Sequence, residues 1–455
     1  MSCKRKDTLF IVTSGFGDGH RRVAEVLALA LRKADPGRPV RIVDLYATLT
    51  PQLYPLALRW YRLTLRRAPE ILGATYSWSA QIRAKEQKPS EARLRLPPLP
   101  VSLPRIPAIP RRRRNGKADR SAPLRIRLRL PKLYFPVHLH IPDFRERTLS
   151  FHPSAALAHA FAAIFDDATP GTVVATAPIP LLLLSEWKRR QGLSFPLVYL
   201  ATDFIPHPVV AREEVDLYFV AHDEAQTHLV ALGVPPERIR VTGIPVHPAF
   251  VRASTVRLKR LARRRKSDPL CLLVAGGGWG LVTGAEALIR EFLASPRFSS
   301  ALDRRNGNPG PFLHVLVLGG KNPHIARKTV DRLTHPAIVW KVLPYLEPSQ
   351  VAALLATVDG FLTKPGGISL AEALAVGVPM FLLPPFPGPE EENARFLTKA
   401  DLARSGGGEH FLDWLRGISD PHVQKDVAGR QHAAISPHAA ERVVRELRRF
   451  LGDEA

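Results

Sequence analysis

Strand-like apolar runs that end in a turn and lead into a helical pattern recur in both halves of the chain. The first run, "TLFIVTS" at 8–14, precedes the turn "GFGDGH" and then "RRVAEVLALALRKA", whose apolar residues recur at helical spacing. The next strand pattern is "PVRIVDLY" at 39–46. This βαβ order favours a parallel sheet with helices on its faces, and therefore the α/β class.

The chain length indicates two such units. At 455 residues, the chain exceeds one ordinary core and suits two domains of about 200 residues each. A second strand–turn–helix series begins after the basic stretch "RLKRLARRRK" at 257–266. We predict an N-terminal Rossmann-like domain (1–250), a basic linker (251–267), a C-terminal Rossmann-like domain (268–435) and a C-terminal helix (436–455).

Cysteine content and hydropathy indicate a soluble protein of a reducing compartment. Two cysteines, Cys3 and Cys271, give neither a disulfide framework nor a cysteine-based metal site. The most apolar run, at 173–184, is 12 residues long and holds two prolines, whereas a membrane-spanning helix needs about 20 apolar residues. We expect a cytoplasmic location.

The net charge of +24 is concentrated in one segment. Residues 83–132 contain 16 Lys and Arg, three acidic residues and nine prolines, which excludes a continuous helix or a central strand. One interpretation is a disordered surface insertion. The other is contact with an anionic membrane, because apolar and basic residues alternate in "PLRIRLRLPKLYF". The segment has few aromatic residues for base stacking, so we expect no specific nucleic-acid partner.

Two glycine-rich turns follow strands in the second half. In "AGGGWG", Gly276, Gly277, Gly278 and Gly280 would let the backbone approach a diphosphate, although any tight strand-to-helix junction can use glycine. In "TKPGGISLAEALAVG", Ser369 is predicted to cap a helix. Glu372 then either completes a capping box with Ser369 or accepts hydrogen bonds from a ribose diol.

The stretch 363–393 resembles the nucleotide-sugar signature of GT-B glycosyltransferases, in the branch of monogalactosyldiacylglycerol synthases and diacylglycerol glucosyltransferases. Similar segments of that family correspond to "LATDFIPHP" at 200–208, "GIPVHPAF" at 243–250 and "GFGDGH" at 15–20. The signature is matched at Thr363, Lys364, Pro365, Gly366, Gly367, Ser369, Glu372, Ala373, Leu374, Gly377, Pro379, Pro387, Gly388, Glu390 and Asn393.

The resemblance implies a GT-B fold, in which two Rossmann-like domains face each other across a cleft. It implies that His20 is the general base, and a helix N-terminus would keep its imidazole neutral. A structural role, with His20 only capping the helix, is the alternative. Implied acceptor-side residues are Gly17, Asp18, Gly19, Asp203 and His207. Implied donor-side residues are Gly276, Gly277, Gly278, Gly280, Val342, Pro365, Gly366, Gly367, Ser369, Glu372, Glu390 and Asn393.

The chain departs from the family pattern at two positions. Pro389 stands where the family has a glutamine that can contact the donor sugar, and Asp18 stands where it tends to have glycine. The first change puts sugar specificity in question. The second places a carboxylate that could orient His20 or repel an anionic acceptor.

The expected activity is inverting transfer of a hexose from a UDP-sugar to a membrane lipid, most simply diacylglycerol, without a metal or other cofactor. The protein would sit on the cytoplasmic face of an anionic membrane, held by 83–132. A transferase of N-acetylglucosamine to a polyprenyl-linked acceptor shares these loops. A dinucleotide oxidoreductase would use "GFGDGH" with Asp44 after the second strand, but His20 displaces the third glycine of its motif. A non-enzymatic nucleic-acid or membrane binder would fit the net charge alone.

Overall fold

The computed structural model describes residues 8–16, 18–67, 161–165, 170–276, 284–303, 312–321 and 323–453. The basic insertion predicted at 83–132 lies outside these residues. The strands, helices and contacts of the two domains below are those of these residues.

The first half forms a six-stranded parallel sheet with the strand order β2-β1-β3-β4-β5-β6. The strands are short, and the four inner ones, β1, β3, β4 and β5, are wholly buried because helices cover both faces of the sheet. Their bounds are β1 Leu9–Thr13, β2 Val40–Asp44, β3 Thr172–Ala175, β4 Leu197–Leu200, β5 Leu217–Val220 and β6 Ile239–Val241.

The second half repeats the architecture with the order β12-β11-β10-β7-β8-β9. All its strand pairs are parallel. The bounds are β7 Leu270–Ala275, β8 Leu313–Leu318, β9 Ile338–Leu343, β10 Gly360–Thr363, β11 Met380–Leu382 and β12 Arg404–Ser405. The predicted α/β class with two Rossmann-like domains is therefore confirmed.

The described helices alternate with the strands and cover the sheets. They are α1 Asp18–Ala34, α2 Leu45–Leu49, α3 Tyr54–Arg67, α4 Pro178–Gln191, α5 Asp223–Ala231, α6 Pro248–Leu261, α7 Ala285–Ala294, α8 Pro296–Asp303, α9 Pro323–Val330, α10 Pro348–Thr357, α11 Gly367–Val376, α12 Pro389–Lys399, α13 Gly408–Ile418, α14 Pro421–Ala434 and α15 Ala439–Phe450. None of the helices in the described part is long and apolar enough to cross a membrane.

The chain passes between the two domains twice. After β6 it enters α6, which packs against α10 and α11 of the second domain. After α14 it returns to the first domain, where α15 packs against α1. The two crossings touch each other, since a Cβ added at Gly243 would lie 3.0 Å from the Ala439 Cβ.

The basic stretch at 257–266 overlaps the helix α6, and Arg257 on it is fully buried. Its guanidinium donates to the Gly377 carbonyl oxygen at 2.9 Å and to Gln424 Oε1 at 2.6 Å. Arg260 and Arg264 bind the buried Asp359 carboxylate at 2.7 and 2.6 Å. These charges therefore attach α6 to the second domain.

Candidate functional site

The loops after β1, β4 and β10 meet between the domains, at the carboxyl ends of these parallel strands, where ligands of open parallel sheets bind. The two sides approach closely at glycines. A Cβ added at Gly367 would lie 2.1 Å from the Thr202 carbonyl oxygen, and one at Gly19 would lie 3.1 Å from Ile368 Cγ1. The structure thus brings the loops at 15–20, 200–208 and 363–369 together.

His20 lies in the first turn of α1 and is half-buried at this junction. Its Nδ1 is 2.8 Å from the Thr176 carbonyl oxygen and 2.7 Å from Thr202 Oγ1. A carbonyl oxygen can only accept, so Nδ1 carries the proton in the neutral imidazole. Nε2 therefore holds the lone pair, and the described residues give it no hydrogen-bond partner.

The surroundings of His20 keep the imidazole neutral. Burial lowers the pKa of His20 below its usual range, while the Asp203 carboxylate and the hydrogen bond to Thr176 act in the opposite direction. The N-terminal end of a helix also disfavours a positive charge. A neutral imidazole with a free Nε2 can act as a base near neutral pH.

Asn393, predicted on the donor side, is fully buried and joins the two domains. Its Oδ1 accepts from the Phe204 backbone N–H at 2.8 Å, and its Nδ2 donates to Asp203 Oδ1 at 2.9 Å and to the Pro365 carbonyl oxygen at 3.1 Å. Each polar atom of this side chain has a protein partner. Asn393 thus fixes the position of Asp203 relative to the turn that begins α11.

Glu372 is buried in the second turn of α11 and pairs with Arg22 of the opposite domain. Arg22 Nη1 lies 3.3 Å from Glu372 Oε1, while Oε2 accepts no hydrogen bond from the described residues. Burial raises the pKa of Glu372 to about 7, although Arg22 acts against the shift. The sequence alone gave no signal for Arg22, because its partner lies 350 positions away.

The capping-box interpretation of Ser369 and Glu372 is wrong. Helix α11 begins at Gly367 with Gly366 as its N-cap, and no side chain caps it. Ser369 therefore lies inside the first turn of α11. Glu372 lies in the second turn, too far from Gly366 to complete a capping box. The first N–H groups of α11 accordingly have no intrahelical partner and point toward the cleft.

Charged side chains from both domains also meet around Asp18. Lys321 Nζ, after β8, lies 3.7 Å from Asp18 Oδ1, whereas the buried Asp18 Oδ2 has no partner among the described residues. The same Lys321 lies over the Tyr345 ring, at 5.8 Å from its centroid. Tyr345 also lies beside Arg22. Asp18 therefore faces a cation across the cleft.

Glu390 occupies the first turn of α12, just after Pro389 at the first helical position. Its Oε1 accepts from Lys364 Nζ at 2.5 Å, and its Oε2 accepts from the Phe386 backbone N–H at 3.1 Å. Lys364 also lies over the Phe386 ring. Glu390 thus holds the loop that leads into α12.

Two other candidates have local partners that account for them. His207 is buried and its Nδ1 accepts from the Val209 N–H at 3.0 Å, which caps a short 3₁₀ turn. Asp44, which a dinucleotide site would use, accepts instead from the Ala47 N–H at 3.2 Å and from the Tyr54 hydroxyl at 2.6 Å. Contact of His207 with an acceptor stays a prediction.

The structure describes only some of the remaining candidate residues. Gly276 directly follows β7, which pairs with β10, and Val342 lies near the end of β9. Gly17, Gly277, Gly278 and Gly280 lie outside the described residues. Within the described ranges no cluster of three His, Cys, Asp or Glu side chains could hold a metal ion.

Comparison with known proteins connects this geometry to a family. A family profile described as monogalactosyldiacylglycerol (MGDG) synthase matches residues 128–246. The chain is 32% identical over 234 residues to the processive diacylglycerol beta-glucosyltransferase of Bacillus mycoides (strain KBAB4), covering 51% of this chain and 55% of that protein. The protein of the same name from Bacillus subtilis (strain 168) is 30% identical over 240 residues, with 53% and 58% covered. The family resemblance is confirmed.

The match spans little more than half the length of these relatives. Solved structures extend the likeness over the whole fold. Acinetobacter baumannii MurG has a TM-score of 0.53 at 14% identity, covering 97% of this chain and 99% of that one. The UDP-GlcNAc 2-epimerase of Neisseria meningitidis, bound to UDP-GlcNAc, has a TM-score of 0.51 at 12% identity, with 97% and 99% covered. The predicted GT-B fold is therefore confirmed.

Proposed function

We propose that this protein is an inverting glycosyltransferase that moves a hexose from a UDP-sugar to the free hydroxyl of diacylglycerol. The observation that carries the proposal is the state of His20. Its Nδ1–H is held by the Thr176 carbonyl oxygen, its Nε2 is free, and its pKa is lowered, all at a junction between two Rossmann-like domains. The named activity of the diacylglycerol glucosyltransferases supports the choice of acceptor.

The chemistry assigned to His20 is general-base catalysis. Nε2 takes the proton of the acceptor hydroxyl while that oxygen attacks the anomeric carbon of the donor. The bond from this carbon to the UDP oxygen breaks, and UDP leaves with the electron pair. Attack from the face opposite UDP inverts the anomeric centre. A base in this position contributes typically about 10²–10⁴-fold to the rate.

The donor would lie against the second domain. The first N–H groups of α11, at Gly367, Ile368 and Ser369, suit an anionic diphosphate. Glu372 Oε2 could accept from a ribose hydroxyl while Oε1 keeps Arg22. Backbone groups near Val342 and Tyr345 would contact the uracil. These donor contacts need no side chain of Pro389.

Thermal-shift titration with UDP, UDP-glucose, UDP-galactose and UDP-N-acetylglucosamine tests the donor site, because a ligand that binds only the folded state raises the melting temperature. Transfer to diacylglycerol then tests the activity. We expect His20→Ala to abolish most turnover without changing the UDP shift, whereas His422→Ala, at an exposed position on α14, should behave as wild type.

The acceptor is tested in the same assay. A polyprenyl-linked acceptor offered beside diacylglycerol separates the two transferase classes that share this fold. If NAD raises the melting temperature and no UDP ligand does, the transferase proposal fails. A product with retained anomeric configuration, observed by NMR, would overturn the inverting step alone.

A further inference from the structure

Helix α3 exposes an apolar stripe to solvent. Leu56, Trp60 and Leu63 are 51%, 62% and 39% exposed, and Leu53 just before the helix is also exposed. The spacing of four and three residues places the three helical side chains on one face. A contiguous exposed patch of one tryptophan and several leucines is more typical of an interaction surface than a single exposed apolar residue is.

The opposite side of α3 packs against the candidate acceptor loop. The Phe16 ring lies edge-on to the rings of Tyr54 and Tyr61, with centroids 6.0 and 5.4 Å apart. Burial raises the pKa of Tyr61, and the carboxylates of Glu390 and Asp203 contribute to the shift. Tyr61 therefore lies beside the cleft, so one helix connects the cleft to the exposed stripe.

The charged residues of α3 are all basic. Its sequence, "YPLALRWYRLTLRR", holds four arginines and no acidic residue, and Arg59 next to Trp60 is exposed. With 14 residues, α3 is shorter than the roughly 20 residues that span a bilayer. A helix that combines an apolar face of tryptophan and leucine with several arginines in its sequence is typical of helices that lie in the plane of an anionic membrane surface.

We propose that α3 is a docking surface for an anionic lipid bilayer, with Leu56, Trp60 and Leu63 inserted below the headgroups. The part concerning the acceptor rests on the proposed function: a diacylglycerol whose acyl chains stay in the bilayer would present its hydroxyl to the cleft beside Tyr61. The stripe is distinct from the basic segment at 83–132, which remains a separate prediction.

Flotation with vesicles tests the surface in the full chain. The variant carries Leu56→Ser, Trp60→Ser and Leu63→Ser together, and the control carries Val256→Ser on α6, where the side chain is 56% exposed. On vesicles of phosphatidylcholine with phosphatidylglycerol, we expect wild type and control to float. The triple variant should bind at least about tenfold more weakly, because it loses the burial of three large apolar side chains. Vesicles of phosphatidylcholine alone should capture less wild-type protein, since the arginines lose their anionic partner.

Activity gives a second readout. The triple variant should lose transfer to diacylglycerol in vesicles but keep transfer to a short-chain diacylglycerol dissolved in detergent. Its UDP-induced thermal shift should equal that of wild type, because no substituted residue lies at the donor site. If no UDP ligand binds and no sugar is transferred by wild type, the proposed function fails, while flotation still reports on the docking surface.

Three results would overturn the docking proposal. The first is equal vesicle binding by the triple variant and wild type. The second is a change in oligomeric state without a change in flotation, which would mean that a second copy covers the stripe. The third is new protease cleavage within 83–132 of the triple variant with unchanged flotation, which would mean that this segment covers it.

Discussion

Arg22 of the first domain and Glu372 of the second form an ion pair across the cleft, with Nη1 and Oε1 3.3 Å apart. The proposed donor site assigns the nucleotide ribose to this carboxylate. Burying it raises its pKa to about 7, so the folded protein binds its proton more tightly than the unfolded chain does. The pair therefore links domain contact to stability, and under the proposed function it also links both to donor binding.

Glu372→Gln should stabilise the protein at alkaline pH. A carboxyl group whose pKa is raised favours folding while protonated, and stability falls as pH rises from about 4.3 toward the folded-state pKa. We expect the variant to unfold at a higher temperature than wild type at pH 8, by on the order of 1–3 kcal/mol in unfolding free energy. At pH 5 the difference should be clearly smaller, because most of the loss in wild-type stability occurs between about pH 5 and 7. Thermal unfolding at both pH values measures this.

The same substitution should weaken the stabilisation by UDP, because an amide oxygen is a weaker acceptor than a carboxylate. A substitution that raises stability but weakens ligand binding is typical of a position whose residue serves function rather than stability. If Glu372→Gln lowered the melting temperature at pH 8 and left the UDP shift unchanged, Glu372 would be a structural residue only.

The acid limb of the pH–rate profile, where kcat/KM falls, should reflect protonation of the His20 imidazole. Because its pKa is lowered, the imidazole stays unprotonated to a pH below about 6.5, the ordinary value for histidine. We expect kcat/KM to be constant near neutral pH and to fall only in more acidic solution. Thr202→Val removes the hydroxyl 2.7 Å from Nδ1 and should move this limb. An acid limb above pH 7 would argue against His20 as the base.

Gly367→Ala should impair the contact between the domains. The added methyl group would lie 2.1 Å from the Thr202 carbonyl oxygen, so the two loops must separate. Gly366→Ala is the matched control, because its Cβ would meet nothing within 4 Å. We expect kcat/KM to drop at least about tenfold for Gly367→Ala, as misplaced reacting groups cost that much or more. Similar kinetics for both variants would show that the observed approach is not the active arrangement.

Asn393→Ala should destabilise the chain by about 1–3 kcal/mol, because it leaves the buried N–H of Phe204 without an acceptor. Asn393→Asp keeps the acceptor but faces Asp203 with a second carboxylate, so its cost should grow as pH rises above the carboxyl pKa values. Denaturant unfolding at two pH values separates the effects. Equal stability of all three proteins would contradict the role assigned to Asn393.

The sequence predicted the architecture and the loops because both depend on local patterns. Apolar runs before turns identified β1, β2, β7 and β10, and glycine turns identified the edges that meet at the cleft. The partners within the cleft could not be predicted in this way. Asn393 matches a donor signature, yet its hydrogen bonds reach Asp203, 190 positions away.

The basic stretch at 257–266 illustrates the same limit. Its composition is typical of a solvated linker, but Arg257 is buried against carbonyl oxygens near 355–377 and against Gln424. Helix periodicity alone does not show which face of α6 is buried. It therefore could not predict that Arg257 lies on the buried face. Charge alone does not distinguish a solvated arginine from one that binds the ends of distant helices.

Because the chain crosses between the domains twice, the first domain consists of two segments, and the second domain is inserted between them. The helix α15, although last in sequence, is held by the first domain through Arg38 and Asp453 and through Arg240 and Glu446. A chimera that exchanges donor domains must therefore be joined at two places, near 243 and near 436. A chimera joined only near 243 would instead place the α15 of the other parent against this α1.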